Sequence, residues 1–249
     1  MIPKETLEKL AVQYQTTVYP NVVREYLQHL FLSKLYTLEN AQNLLFKGGT
    51  ALRIAYNSPR FSEDLDFTII RMPEYQHKDF TESCFAEVLT YLESIGIKTE
   101  LGPKPGRTKE GYQGEATFQI YDFSPVTVSI DVSSRKGRAT EGEIESIAND
   151  FVPVYNLYRM KESDLVDEKI DALLGRMKAR DFYDVYFLMR KNLITVEQRP
   201  RLAEVKQLVE NENINFQTEL SVFLPVNQQA IIRDFRATLL SELQRQLSW

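Results

Sequence analysis

Hydrophobic and polar positions alternate with two different periods along this chain, and the change of period divides it. Val22, Val23, Tyr26, Leu27, His29, Leu30, Phe31 and Leu35 form a broad apolar face at helical spacing. Pro20 suits the first turn of that helix, which the pattern carries to about Tyr36. A shorter amphipathic stretch, Thr6 to Tyr14, precedes it. Period two then takes over: Leu44–Phe46, Leu65–Ile70, Ile97–Leu101, Tyr112–Tyr121 and Val126–Val132 read as strands. Helical patterns interrupt them at Ala51–Tyr56 and at Tyr75–Ser94, the second stopped by Gly96. From about Lys161 the period is helical throughout, with helices expected at Glu162–Leu174, Ala179–Lys191, Val196–Glu210 and Asn227–Leu247. The expectation is an α/β (α+β) front with a mixed sheet, residues 1–155, and a C-terminal helical bundle, residues 156–249.

Composition narrows the chemistry. A net charge of −5 in 249 residues lacks the basic excess of a protein that coats nucleic acid, so an RNA partner would need a local patch. Lys104, Arg107 and Lys109, and the run Arg135–Arg138, are the candidate patches. One cysteine, Cys84, rules out an internal disulfide and a thiolate zinc site. Two histidines, His29 and His77, leave little for a histidine-bound metal. His29 lies beside an apolar face and is expected in the core or at its boundary. Any metal should therefore be a hard ion on carboxylates, magnesium first. No apolar run approaches the roughly 20 residues of a membrane span, and the N-terminus lacks a signal-like apolar centre, so a cytoplasmic protein is expected.

Two neighbouring segments carry the candidate chemistry. Strand Leu44–Phe46 runs into Lys47-Gly48-Gly49-Thr50 and a helix. Glycines there let the backbone approach a ligand closely, and the helix start offers free N–H groups and a positive dipole end to a phosphate. Thr50 can cap that helix or bond a phosphate oxygen. After the helix comes Arg60-Phe61-Ser62-Glu63-Asp64-Leu65-Asp66-Phe67. Period two puts Asp64 and Asp66 on one face, and two crowded carboxylates are relieved by a cation between them. Asp131 sits on the polar face of Val126–Val132, and would make a triad if that strand were adjacent.

With these segments on the page, the chain resembles the nucleotidyltransferase toxins of the AbiEii type, in the DNA-polymerase-β-like superfamily. The likeness rests on Lys47-Gly-Gly-Thr-Ala-Leu followed by Arg60-x-Ser62-x-Asp64-Leu-Asp66-Phe67, and on two later motifs. It implies a mixed-sheet nucleotidyltransferase core whose active site a helical domain completes. It further implies nucleotide binding by Lys47, Gly48, Gly49, Thr50, Arg60 and Ser62, and a magnesium site at Asp64, Asp66 and Asp131. Asp131 either completes that site or draws a proton from the acceptor.

The first later motif places Lys169 on a helical face with Leu165, Val166, Ala172 and Leu173. Such a lysine either snorkels outward or meets a phosphate, and the family's similar lysine lines the active site. The second, Lys178-Ala-Arg180-Asp181-Phe-Tyr-Asp184, is similar to the family's Arg-Asp-x-x-Asp, whose essential aspartate falls on Asp181 first and Asp184 second. On spacing, Arg180 is expected to pair with Asp184, and one of the two acids to position Lys169 or act as a base. The resemblance implies transfer from a nucleoside triphosphate to an RNA acceptor, the 3′ end of a tRNA, with a separate antitoxin as partner. Rival readings are nucleotidylation of a protein, a non-catalytic nucleotide- or antitoxin-binding module, and a magnesium-dependent nuclease.

Overall fold

The computed structural model describes residues 1–16, 20–102, 106–107 (backbone only), 111–134 and 140–248. The candidate basic patches at Lys104, Arg107 and Lys109, and at Arg135–Arg138, lie outside the described side chains. Two compact units emerge, one of residues 1–57 and 61–160, the other of residues 58–60 and 161–249. No described helix is long and apolar enough to cross a membrane.

The first unit is a mixed α/β layer structure. Its helices are α1 (Lys4–Gln13), α2 (Pro20–Leu35), α3 (Gly48–Tyr56) and α4 (His77–Ser94). Its strands are β1 (Leu44–Lys47), β2 (Leu65–Ile69), β3 (Lys98–Leu101), β4 (Gly106–Arg107), β5 (Gly111–Gln119), β6 (Val126–Ser134), β7 (Gly142–Ile147) and β8 (Tyr155–Met160). They form one sheet in the order β3-β5-β6-β2-β1-β8-β7, with β4 paired to β5. β2 runs parallel to β6 and β1 parallel to β8; the other pairs are antiparallel. Alternation sorts the side chains by face. Phe46 and Phe67 stack at 5.6 Å, and Phe85 of α4 joins Phe67 at 6.1 Å and Phe31 of α2 at 5.4 Å. The in-register residues of opposite parity, Lys47, Asp66 and Asp131, therefore share the other face.

β7 and β8 were not expected from the sequence. β7 forms a sheet edge, and its Gly-Glu-Ile-Glu-Ser-Ile leaves Ile144 exposed, so no apolar alternation marks it. The sheet thus extends through Met160, past residue 155.

The second unit is helical: α5 (Glu162–Arg176), α6 (Ala179–Arg190), α7 (Leu202–Asn211), α8 (Phe216–Phe223), α9 (Ala230–Arg233) and α10 (Phe235–Leu247). Phe216 anchors its core, 5.7 Å from Phe182 and 5.0 Å from Phe235. The expected helix at Val196–Glu210 begins only at Leu202. Pro200 sits in a 3₁₀ turn over Arg199–Arg201, and it has no N–H to extend an α-helix backward. The expected Asn227–Leu247 helix breaks at Asp234. Eight-residue α8 is new, started by Asn215, whose side chain accepts from the Gln217 and Thr218 amides.

Candidate active site

β1 ends in Lys47, whose extended backbone leads into Gly48 at φ +79° and so into α3. A positive φ favours glycine, but a tighter constraint acts here. A Cβ at Gly48 would stand 2.0 Å from the Asp66 Oδ2, so only a residue without a side chain lets that carboxylate rest on the turn. The residue at the N-cap of α3, Lys47, makes no capping bond with its own side chain. Thr50 does not cap the helix. It is fully buried and its hydroxyl donates to the Asp64 carbonyl, tying the helix start to the acid-bearing segment. Gly49 is buried beside it.

The acids approach from the opposite side of this turn. Asp66 is the register partner of Lys47 on β1 and of Asp131 on β6. Adjacent strands lie about 4.8 Å apart, so Asp66 and Asp131 stand side by side on one face. Asp64 precedes the first strand residue, in a segment pinned by α2. Gln28 donates to the carbonyls of Ser62 and Glu63, each at 3.1 Å, and Arg24 meets Glu63 at 3.1 Å. Ser62 is half-buried and enters this scaffold through its carbonyl. Asp64, Asp66 and Asp131 are all half-buried. Among the described residues, no three acidic, histidine or cysteine side chains are drawn together closely enough to hold an ion as they stand. The donors still suit a hard cation: two in-register carboxylates beside a glycine socket, with a third acid two residues upstream.

Two residues missed by the sequence reading brace these segments. The Lys47 ammonium donates to the Ser133 Oγ at 2.8 Å. Ser133 also faces the Phe67 carbonyl at 3.4 Å and the Thr68 hydroxyl at 3.5 Å. Its signal was available, because Ser133 continues the alternation of β6 two residues beyond Asp131. Gln28 had a signal too, as a polar residue within the apolar region of α2.

The remaining predicted residues lie in the helical unit. Arg60 groups with α5 and α6 in the second unit. It forks onto Asp184, Nε to Oδ1 at 2.8 Å and a terminal nitrogen to Oδ2 at 2.9 Å. Lys169 on α5 donates to the same Oδ2 at 2.8 Å. The three are almost sealed, at 3% exposure for Arg60, 6% for Lys169 and 1% for Asp184. Burial alone would raise the Asp184 carboxyl, but the charges and hydrogen bonds of Arg60 and Lys169 outweigh it and hold it at about 2. Burial likewise works against the Arg60 charge, yet Asp184 lifts it above its ordinary value. The expected Arg180–Asp184 pair is not formed. Arg180 reaches Glu219 at 3.5 Å, because the longer-range guanidinium of Arg60 takes both Asp184 oxygens. Asp181, fully buried at the start of α6, accepts two bonds from Arg176 at 2.8 and 2.7 Å.

A second concavity of about 530 Å³ lies in the first unit, lined by Tyr14, Glu25, His29, Arg53, Asp150 and Phe151 among others. Its polar groups largely satisfy one another: Arg53 forks onto Glu25 at 2.9 and 3.0 Å, and Tyr14 donates to Asp150 at 2.7 Å. His29 Nδ1 meets the Tyr155 hydroxyl at 2.9 Å. Burial first, then the Arg53 charge, lower its pKa to about 3, so it is the neutral core histidine expected.

Comparison with known proteins assigns the chain to a family. The family model described as "Nucleotidyl transferase AbiEii toxin, Type IV TA system" matches residues 30–247. Among solved structures, JHP933 from Helicobacter pylori is similar with a TM-score of 0.64 at 19% identity, covering 92% of each chain. A second Helicobacter pylori protein, provisionally described as a nucleotidyltransferase, has a TM-score of 0.63 at 19% identity, covering 92% of this chain and 95% of its own. At that identity the two establish a shared fold. No curated protein matches the sequence.

Proposed function

The chain belongs to the AbiEii family of nucleotidyltransferase toxins, and from that membership we propose that it moves a nucleotide from a nucleoside triphosphate to the 3′ hydroxyl of an RNA, a tRNA acceptor end. The observation that carries this reading is the seating of the Asp66 carboxylate on the Gly48 turn. It brings the start of α3, a helix end suited to an anion, against one member of the in-register acid pair, which supports the reading. The first turn of α3, from Gly48 to Thr50, receives the triphosphate. Asp64 and Asp66 would hold magnesium, which when bound would supply Lewis-acid polarisation of the phosphoryl oxygens. The acceptor oxygen bonds to the α-phosphorus, the bond to the β-phosphate oxygen breaks, pyrophosphate leaves, and Asp131 takes the hydroxyl proton. In the helical unit, Asp184 and Arg60 fix the Lys169 ammonium, the family's active-site lysine, and Arg176 anchors Asp181.

The test is incubation of the purified chain with α-labelled nucleoside triphosphates, magnesium, tRNA and a candidate antitoxin protein. Label should enter RNA, require magnesium, and fall at least a hundredfold with Asp66→Asn while the circular dichroism spectrum is unchanged. Label in protein would establish the rival acceptor. Label in neither, with growth arrest of a bacterial host unaffected by Asp66→Asn, would point to a non-catalytic module.

A further inference from the structure

Two carboxylates in register on adjacent strands repel, and half-burial strengthens that repulsion. The fold must offset it even when no divalent ion is bound. The neighbouring strand offers a cation. Lys47 is the register partner of Asp66 on the side away from Asp131, so the three lie in one row across β1, β2 and β6. The lysine side chain does not turn out to solvent. Its ammonium reaches Ser133 on β6, two strands away from its own backbone. Crossing two inter-strand gaps means spanning roughly 10 Å, which takes the extended lysine stem together with the hydrogen bond and the serine side chain. The stem therefore lies across β2, where Asp66 and Thr68 occupy this face. Ser133 is the next residue after Asp131 on the same face of β6. It is itself braced by the Phe67 carbonyl and the Thr68 hydroxyl.

We propose that Lys47, moored on Ser133, is the resident counter-cation of the Asp66–Asp131 pair, holding the acid row together until a divalent ion takes its place. This rests on the reading of the acids as a magnesium site. It gives Lys47 a role distinct from phosphate binding: the lysine competes with the metal and keeps the empty row ordered. It also makes Ser133 a positioning residue that acts through Lys47. The charge of a bound ion makes the ammonium redundant, and in the full site the ammonium is displaced from the acids.

The experiment compares wild type, Lys47→Met, Ser133→Ala, Asp131→Asn and the Lys47→Met/Asp131→Asn double variant by thermal unfolding in chelator, then by calorimetric titration with magnesium alone. In chelator, Lys47→Met should lower Tm by roughly 3–8 °C. The same substitution should cost less than half as much on the Asp131→Asn background, because the repulsion it balances is gone. Magnesium should bind Lys47→Met about tenfold more tightly than wild type, a difference of about 1.4 kcal/mol. Ser133→Ala keeps the charge and loosens its mooring, so it should show both effects in milder form and serves if Lys47→Met does not fold. Additive losses in the double variant, or weaker magnesium binding in Lys47→Met, would overturn the proposal. Coupling in chelator with no magnesium binding by wild type or Lys47→Met would instead overturn the magnesium reading and leave the counter-cation standing.

Discussion

Removing the Asp184 charge puts the helical unit to a direct test. Asp184 stands between two nearly sealed cations, and its oxygens accept three bonds of 2.8–2.9 Å. Asp184→Asn keeps the shape but leaves Arg60 and Lys169 facing a neutral amide with one acceptor in place of two. Breaking a buried ion pair from one side costs about 3–5 kcal/mol. In a chain of this size that lowers Tm by roughly 6–20 °C. Linkage gives a second estimate. The carboxyl titrates near 3.9 unfolded and at about 2 in the fold, so ionisation adds about 2.6 kcal/mol. That stability is present above the unfolded value and disappears as pH falls through 3.9 towards 2. The mutational figure is larger because it includes the two cations left unpaired. Urea unfolding followed by far-UV circular dichroism at pH 7 and at successive values down to pH 2.5 measures both. Asp184→Asn should be the less stable protein at pH 7, and the gap to wild type should narrow with acid. Replacing all three charges together (Arg60→Met, Asp184→Leu, Lys169→Met) should recover most of the loss. A single variant within about 1 kcal/mol of wild type at pH 7, or a gap that does not change with pH, would show that the ion cluster does not brace α5 against α6.

Two further outcomes follow from burial and close approach. Gly48→Ala should push Asp66 off the turn and add about 1–2 kcal/mol of left-handed backbone strain. Nucleotide incorporation should then fall at least a hundredfold with the circular dichroism spectrum preserved; retention of more than half the wild-type rate would count against the socket. His29 has a folded pKa of about 3 against about 6.5 unfolded, so the unfolded chain takes up the proton first. Stability should drop as pH falls below 6.5, by about 2 kcal/mol at pH 5. His29→Phe should lack that component in urea midpoints taken from pH 7 to pH 5; equal slopes in the two proteins would refute it.

The sequence exposed the acid-bearing sheet face well and the helical cluster poorly, for physical reasons that differ. Asp66 and Asp131 could be assigned to polar strand faces because β2 and β6 are inner strands whose apolar alternation is strong. Their shared register required the sheet order, which no local pattern encodes. Ser133 lay on the same readable alternation and was overlooked because serine carries no charge. β7 was invisible for the opposite reason: an edge strand is half-solvated, and Glu143 and Glu145 are placed to meet Arg159, not to fill a core. Arg60 was read with its sequence neighbours, yet its partner lies 124 residues away. Spacing within a helix pointed to Arg180 for Asp184, but burial favoured the guanidinium that could fork onto both oxygens without reaching solvent.

The contact between Asp66 and the turn at Gly48 also fixes what can vary independently. A phosphate seat and a metal-binding acid on separate elements could each drift with its own element. Here the van der Waals surface of one is the floor of the other, so a shift of α3 along its axis carries the carboxylate or collides with it. In the proposed reaction, grip on the triphosphate and placement of the ion would thereby be a single mechanical adjustment, and even one added methylene on either partner would spoil both together.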